Sequence, residues 1–260
     1  MTPTLHVIDV HVGYPGKKVI SGLTLPPLAH GEVTVLAGPN GAGKSTLLRA
    51  MAGLLRMAGS IRYDEHELTA LSIRRRASFV SFMPQSVPTD INLSVAEAVI
   101  SALKASPLDS ANAGNEGLYQ RAFSVLERTG IADLALRPLN QLSGGQRQLS
   151  SLARTIVRES KVLLLDEPTS ALDLRHQLKV MRLARSLAAD GRIVVVVLHD
   201  LNLALRWADR VIVMDNGAIV SQGTPTEAIT PAVIESVYGV RIRVERCSQG
   251  QPTLIVDGEC

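Results

Sequence analysis

The stretch Gly38-Pro39-Asn40-Gly41-Ala42-Gly43-Lys44-Ser45 decides how this chain is read. It fits the pattern GxxxxGK[ST] in full, and its neighbours give it a setting. Before it, Val33 to Ala37 is a short β-like run that ends at the glycines. After it, Lys44 to Ala52 carries Leu47, Leu48 and Met51 at helical spacing, with Gly53 as a stop. Strand, glycine loop and helix follow one another. A backbone with few Cβ atoms folds around an anion and aims successive N–H groups at it, and the helix adds the positive end of its dipole. The stretch therefore reads as a phosphate cradle. In such a cradle Lys44 reaches the β- and γ-phosphates of a nucleotide, Ser45 ligates Mg²⁺ and Thr46 touches the α-phosphate. A glycine-rich connection that merely turns the chain is the plainer alternative, and the flanking strand and helix weigh against it.

Further out, Val162-Leu163-Leu164-Leu165-Asp166-Glu167 is an apolar strand that delivers two adjacent carboxylates. If it lies next to the cradle's own strand, Asp166 holds the metal through water and Glu167 polarises an attacking water. A strand closed by an acidic turn, helped by Pro168, is the structural alternative. Phe79 to Met83, Ile193 to Leu198 and Val211 to Met214 are apolar or nearly so, as strands covered on both faces are, and predict a mostly parallel sheet. Leu5 to Val12 alternates like an edge strand, ahead of a turn-rich Gly13 to Gly16. Between Ser94 and Glu159 the chain turns helical: Ser94 caps a run to Leu103, Leu118 to Thr129 has helical periodicity, and Gly145 to Arg158 follows. Ser106 to Gly117 reads as a mobile surface loop. Val240 to Glu245 and Thr253 to Val256 predict a hairpin around Ser248 to Gln251.

Composition sets the outer limits. With 260 residues, 46% hydrophobic, 20% charged, 20 Gly and 13 Pro, the chain is long enough for one large domain or two small ones, and collagen-like or disordered readings are excluded. A formal net charge of +3 is too weak to argue for nucleic-acid binding. The longest aliphatic run, Ile193 to Leu198, falls far short of the roughly 20 residues needed to span a bilayer, and no secretory leader is visible. Cys247 and Cys260, without CxxC spacing, read as ordinary thiols.

Leu142-Ser143-Gly144-Gly145-Gln146, lying between the cradle and the carboxylate strand, resembles the signature of the ATP-binding cassette (ABC) ATPases. Physically, Ser143 and the two glycines open the helix that follows, giving a second helix N-terminus suited to a γ-phosphate. A serine cap at an ordinary helix start is the alternative taken alone. The resemblance runs from roughly Leu5 to Val240, with the motifs in the family's order. It implies an α/β P-loop NTPase fold of the ABC type, with a mixed β-sheet core, an N-terminal antiparallel β-subdomain and an inserted α-helical subdomain. The corresponding division is 1–85 and 160–240 as nucleotide-binding core, 86–159 as helical insertion and 241–260 as a C-terminal hairpin extension.

The same resemblance assigns roles. Glu167, His199, Gln85 and Lys44 are the catalytic set: Glu167 polarises water, the switch residue His199 meets the γ-phosphate, and Gln85 contacts Mg²⁺ or the water and senses the transport partner. Ser45, Gln85 and Asp166 hold the metal. ATP lies on Gly38, Pro39, Asn40, Gly41, Ala42, Gly43, Lys44, Ser45 and Thr46, with Tyr14 stacked on adenine. Ser143, Gly144, Gly145, Gln146 and the D-loop residue Asp173 complete the site from a second copy, and Asp173 doubles as a helix cap. One chain holds one copy of each motif, so the implied working unit is a homodimer or a paired cassette.

The segment His199-Asp200-Leu201-Asn202-Leu203-Ala204-Leu205-Arg206-Trp207-Ala208-Asp209-Arg210, with Gly223-Thr224-Pro225 and Val237-Tyr238-Gly239-Val240, is similar to ATPases of bacterial importers for iron-siderophore complexes, haem and vitamin B12. That subgroup implies integral membrane permeases docked on the insertion near Gln85 to Leu103, a periplasmic or surface binding protein, and a peripheral place at the cytoplasmic face of the inner membrane. One departure bears on coupling or cargo: Lys104-Ala105-Ser106-Pro107 stands where the group often shows Arg-Tyr/Phe-Pro-His. The competing reading is a soluble ABC ATPase of cofactor assembly, translation or DNA repair. The tandem cassettes and long coiled coils usual in the last two are absent from this sequence.

Overall fold

The helix that follows the glycine loop packs against strands of two different sheets, and this placement organises the molecule. A computed structural model describes residues 4–86, 92–106 and 115–260. The chain opens with β1 (Thr4–Tyr14), β2 (Lys17–Leu23), β3 (Leu28–Ala29), β4 (Val33–Ala37), α1 (Lys44–Met51), β5 (Met57–Tyr63), β6 (His66–Glu67), α2 (Ile73–Arg76) and β7 (Val80–Met83). A helical stretch follows: α3 (Val95–Lys104), α4 (Asn115–Thr129) and α5 (Gly144–Ile156). Then come β8 (Val162–Asp166), α6 (Leu174–Ala189), β9 (Ile193–Val197), α7 (Leu201–Trp207), β10 (Arg210–Asp215), β11 (Ala218–Gly223), α8 (Pro225–Ala228), α9 (Pro231–Tyr238), β12 (Val240–Arg246) and β13 (Pro252–Glu259).

The central sheet has the order β11-β10-β4-β9-β8-β7. All its pairings are parallel except β10 with β11. Every residue of β4, β8 and β9 is buried, which is why these strands read as unbroken apolar runs. Their side chains divide by the period of two. Val33, Val35, Leu163, Leu165, Val194 and Val196 face the helical side. Leu36, Val162, Leu164, Ile193, Val195 and Val197 face α1 and the antiparallel sheet. That second sheet runs β2-β1-β5-β6, with β3 on β1. Leu47, Leu48 and Met51 of α1 fill the space between the sheets, each stabilising the fold by about 1.5–3 kcal/mol through burial.

The carboxylate strand is not next to the cradle's strand: β9 lies between β4 and β8. The adjacency on which the reading of Asp166 is conditioned is therefore not met. Its consequence survives, because parallel strands carry all three C-terminal ends to one edge, with Leu36 and Asp166 both level with Val197.

Ser94 caps α3 as expected, in a capping box with Glu97. The C-terminal hairpin forms, with Arg246 paired to Pro252 near the turn and Val240 to Glu259 at the other end. Cys247 and Cys260 therefore sit at opposite ends of it, both exposed and free. The central part of the expected loop, residues 107–114, lies outside the described residues, as does Pro107 of the departing tetrapeptide.

Candidate active site

The loop between β4 and α1 closes around its own lysine. Lys44 Nζ donates to the carbonyl oxygens of Gly38 at 2.7 Å and Pro39 at 2.8 Å, which holds the buried ammonium at the mouth of the loop. Burial pushes the Lys44 pKa down, opposed by the nearby charges of Glu167 and Asp166. Gly38 has φ +142°, and a Cβ there would fall 2.0 Å from the Met214 carbonyl oxygen. Only glycine lets the cradle sit this close to β10.

Ser45 Oγ donates to Asp166 Oδ1 at 2.8 Å, joining α1 to the end of β8. Asp166 is fully buried, and its Oδ2 has no hydrogen-bond partner. Burial raises its carboxyl pKa, with the Ser45 bond opposing. An orphaned carboxylate oxygen beside a serine hydroxyl fits a magnesium ion that takes its remaining ligands from phosphate and water. Among the described residues no cluster of three or more His, Cys, Asp or Glu forms an all-protein metal cage.

Glu167 is where the expected catalytic groups meet. Its backbone is left-handed at φ +52°. Gln85 Nε2 donates to one carboxylate oxygen at 2.8 Å, and His199 Nε2 lies 2.6 Å from the other. Behind it, Gln148 Nε2 of α5 donates to the Glu167 carbonyl at 2.8 Å. Residues far apart in sequence, on the ends of β7, β8 and β9, are thus gathered on one carboxylate. Gln148 was not anticipated; the signal was its place one turn into the helix that the signature opens.

Tyr14 edges the same cleft, a space of ≈ 630 Å³ also lined by Lys17, Lys18, Asn40 to Thr46, Gln85, Glu167 and Asn216. The residue is 41% exposed, open to a planar base at the edge of the cleft. A hydrogen bond with the Thr46 side chain, and the Arg49 guanidinium, lower the phenol pKa against opposing burial. Lys17, Lys18 and Asn216 went unread in the sequence. The Pro15-Gly16 turn directly after Tyr14, followed by two lysines, was the available clue.

The signature residues lie elsewhere. Ser143 Oγ accepts from the Gln146 N–H at 3.2 Å, and Gln146 Oε1 accepts from the Ser143 N–H at 3.0 Å, so Ser143 is the N-cap of α5 in a capping box. A Cβ on Gly145 would stand 3.0 Å from the Ala171 carbonyl, so α5 and the segment before α6 approach closely there. Asp173 caps α6 through the His176 N–H at 2.8 Å. Ser143 to Gln146, Asp173 and His176 line a separate cleft of ≈ 560 Å³. It shares no lining residue with the cradle's cleft.

Comparison with known proteins agrees with this geometry. Residues 26–170 match the family described as ABC transporter. The chain is 41% identical over 243 residues to the hemin import ATP-binding protein HmuV of Aliivibrio fischeri, covering 92% of this chain and 90% of that protein. It is 38% identical over 258 residues to the HmuV of Pseudomonas fluorescens, covering 96% and 99%. Among solved structures, a transporter assigned to the metal-chelate ABC type, in an inward-facing conformation, superposes with TM-score 0.81 at 26% identity, covering 98% of this chain and 97% of that one. A bacterial ABC transporter cassette solved as a dimer gives TM-score 0.76 at 27% identity, covering 85% and 99%. With its phosphate cradle, carboxylate strand and signature helix in this arrangement, the chain belongs to the ABC transporter family.

Proposed function

We propose that this ATPase powers the uptake of haem through separate membrane subunits, as a pair of cassettes at the cytoplasmic face of the inner membrane. The observation that carries the cargo is the 41% identity, over nearly the whole chain, to a hemin import ATP-binding protein. It narrows the wider class of iron-siderophore, haem and vitamin B12 importers. A periplasmic or surface binding protein belongs to the same reading. The division into core (1–85 and 160–240), helical insertion (86–159) and hairpin extension (241–260) is part of it too.

The residues present support the chemistry. Lys44 and the backbone of Gly38 to Ser45 bind and orient the triphosphate. Ser45 and Asp166, with Gln85 nearby, would hold Mg²⁺, which when bound neutralises charge between the β- and γ-phosphates. Glu167 accepts a proton from the attacking water. Each of its oxygens holds one contact, to Gln85 and to His199 respectively, which orients the carboxylate and leaves further lone pairs to receive the attacking water. The disjoint clefts of cradle and signature support pairing, since a second copy is what brings Ser143 to a phosphate held by Lys44.

A groove of ≈ 720 Å³ on α3 and α4 supports docking to membrane subunits. It leaves Phe123 49%, Tyr119 63% and Leu136 88% exposed, an apolar patch of the kind that marks an interaction site. Among the described residues no helix is long and apolar enough to cross a membrane. Purification from native membranes in mild detergent, with mass spectrometry of attached subunits and haem uptake into proteoliposomes, tests the proposal. Co-purifying integral membrane subunits and ATP-dependent haem uptake are expected. Absence of any membrane subunit would favour the soluble competitor, and uptake of a siderophore or cobalamin in place of haem would overturn the cargo.

A further inference from the structure

We propose that the pocket between the end of β7 and the C-terminal turn of α5 binds a small oxyanion, gripped by Arg154 and Arg158 with the Ser81 hydroxyl as an added donor. The pocket measures ≈ 170 Å³ and is lined by these residues with Ser151, Thr155 and Pro84 among others. That is room for one phosphate or carboxylate with water, and too little for a nucleotide.

The charges in it are unbalanced. Arg154 in the last turn of α5 and Arg158 just past its end both line the pocket, so like charges share one space, an unfavourable arrangement without an anion between them. The Nε of each is buried with no hydrogen-bond partner. Among the described residues neither makes an ion pair. Burial lowers the pKa of both guanidinium groups, and among the described residues no carboxylate opposes it. Both residues are half-buried with the Nε sealed from water, and an oxyanion would offset that partial desolvation with the bidentate geometry that arginine favours.

Ser81 is the independent observation. It is 1% exposed, lies among Val80, Phe82 and Met83, and its Oγ has no partner. Buried hydroxyls are normally bonded. Thr155 does not supply the missing donor, because its Oγ1 already donates to the Ser151 carbonyl at 2.9 Å. The shared chemistry is that of free phosphate and of a side-chain carboxylate from a docked segment. Pro84 in the pocket wall precedes Gln85, which holds Glu167, so occupancy braces the strand that presents Gln85. None of this depends on which cargo is carried.

The test uses the full chain saturated with a non-hydrolysable ATP analogue and Mg²⁺, so that the β- and γ-phosphate positions of the cradle are both filled. It is titrated calorimetrically at constant ionic strength with inorganic phosphate and, separately, with acetate. One saturable site is expected; tighter phosphate binding identifies free phosphate as the occupant, and tighter acetate binding identifies a carboxylate. Ser81→Ala deletes a hydroxyl that bonds nothing in the protein, so the fold is retained, while anion affinity falls by about tenfold. Arg158→Gln weakens binding further and Arg158→Lys restores part of it. Unsaturable heats with both anions overturn the proposal, as do wild-type affinities in Ser81→Ala and Arg158→Gln.

Discussion

Replacing Glu167 by glutamine separates binding from chemistry. The two carboxylate oxygens receive Gln85 Nε2 at 2.8 Å and His199 Nε2 at 2.6 Å. An amide of the same shape keeps an oxygen for one of them and exchanges one charge-assisted bond for a weaker contact, so the folding cost is about 1 kcal/mol. The left-handed backbone at φ +52° is equally strained for either residue, and Lys44, Ser45 and Asp166 are untouched. Nucleotide affinity therefore stays near wild type. The lost proton acceptor lowers turnover by about 10²–10⁴-fold, the usual worth of a positioned base, and ATP accumulates in a closed pair. Phosphate release under steady state, fluorescent-nucleotide binding and size-exclusion chromatography with ATP measure the three consequences. Lys44→Ala is the contrast, losing affinity itself. Wild-type turnover in Glu167→Gln would refute the base assignment, and loss of binding together with turnover would show that Glu167 shapes the cleft instead.

Asp166→Asn tests the metal-ready carboxylate. Its folded-state pKa is raised by burial, so its contribution to stability is greatest at low pH and is lost as pH rises through that raised value. At neutral pH the ionised group weighs against the fold. The variant should therefore melt higher than wild type without nucleotide, by about 1 kcal/mol, with a gap that closes in acid, while losing the added stabilisation from ATP with Mg²⁺. A lower melting point at neutral pH would refute this. Asn202 acts as a clasp on the hairpin, its Nδ2 donating to the Leu254 carbonyl at 3.2 Å and its Oδ1 accepting from the Leu254 N–H at 2.7 Å. Asn202→Ala should cost about 1 kcal/mol and speed amide exchange along β13, with ATP turnover unchanged; unaltered exchange at Leu254 would remove the clasp.

The elements that were legible are those whose environment leaves a mark on composition. β4, β8 and β9 are apolar at nearly every position because both sheet faces are covered. Ser94, Ser143 and Asp173 announced their helices because a capping side chain must be short and polar. β2, β5 and β11 carried no such mark. Lys17 to Leu23 mixes exposed lysines with Gly22 in the left-handed region, Met57 to Tyr63 contains Gly59, and Ala218 to Gly223 is nowhere fully buried. Their pairing is set by the partner strand, which a local pattern does not contain.

For the site, the sequence supplied the residues and withheld their order in space. It named Asp166 and Ser45 but left open whether β8 adjoins β4, and β9 separates the two strands. A parallel sheet lets strands that are distant in sequence enter between two others without moving any C-terminal end off the common edge, so contact at that edge does not require adjacency. The convergence of Gln85 and His199 on Glu167, and of Gln148 behind it, follows from the same edge. β7, β8 and β9 end there together, and α5 runs from the signature past the Glu167 carbonyl to Arg154 in its last turn. One helix therefore joins the signature cap, the backbone behind Glu167 and the pocket lined by Arg154, so a substitution along α5 is best read out at all three places.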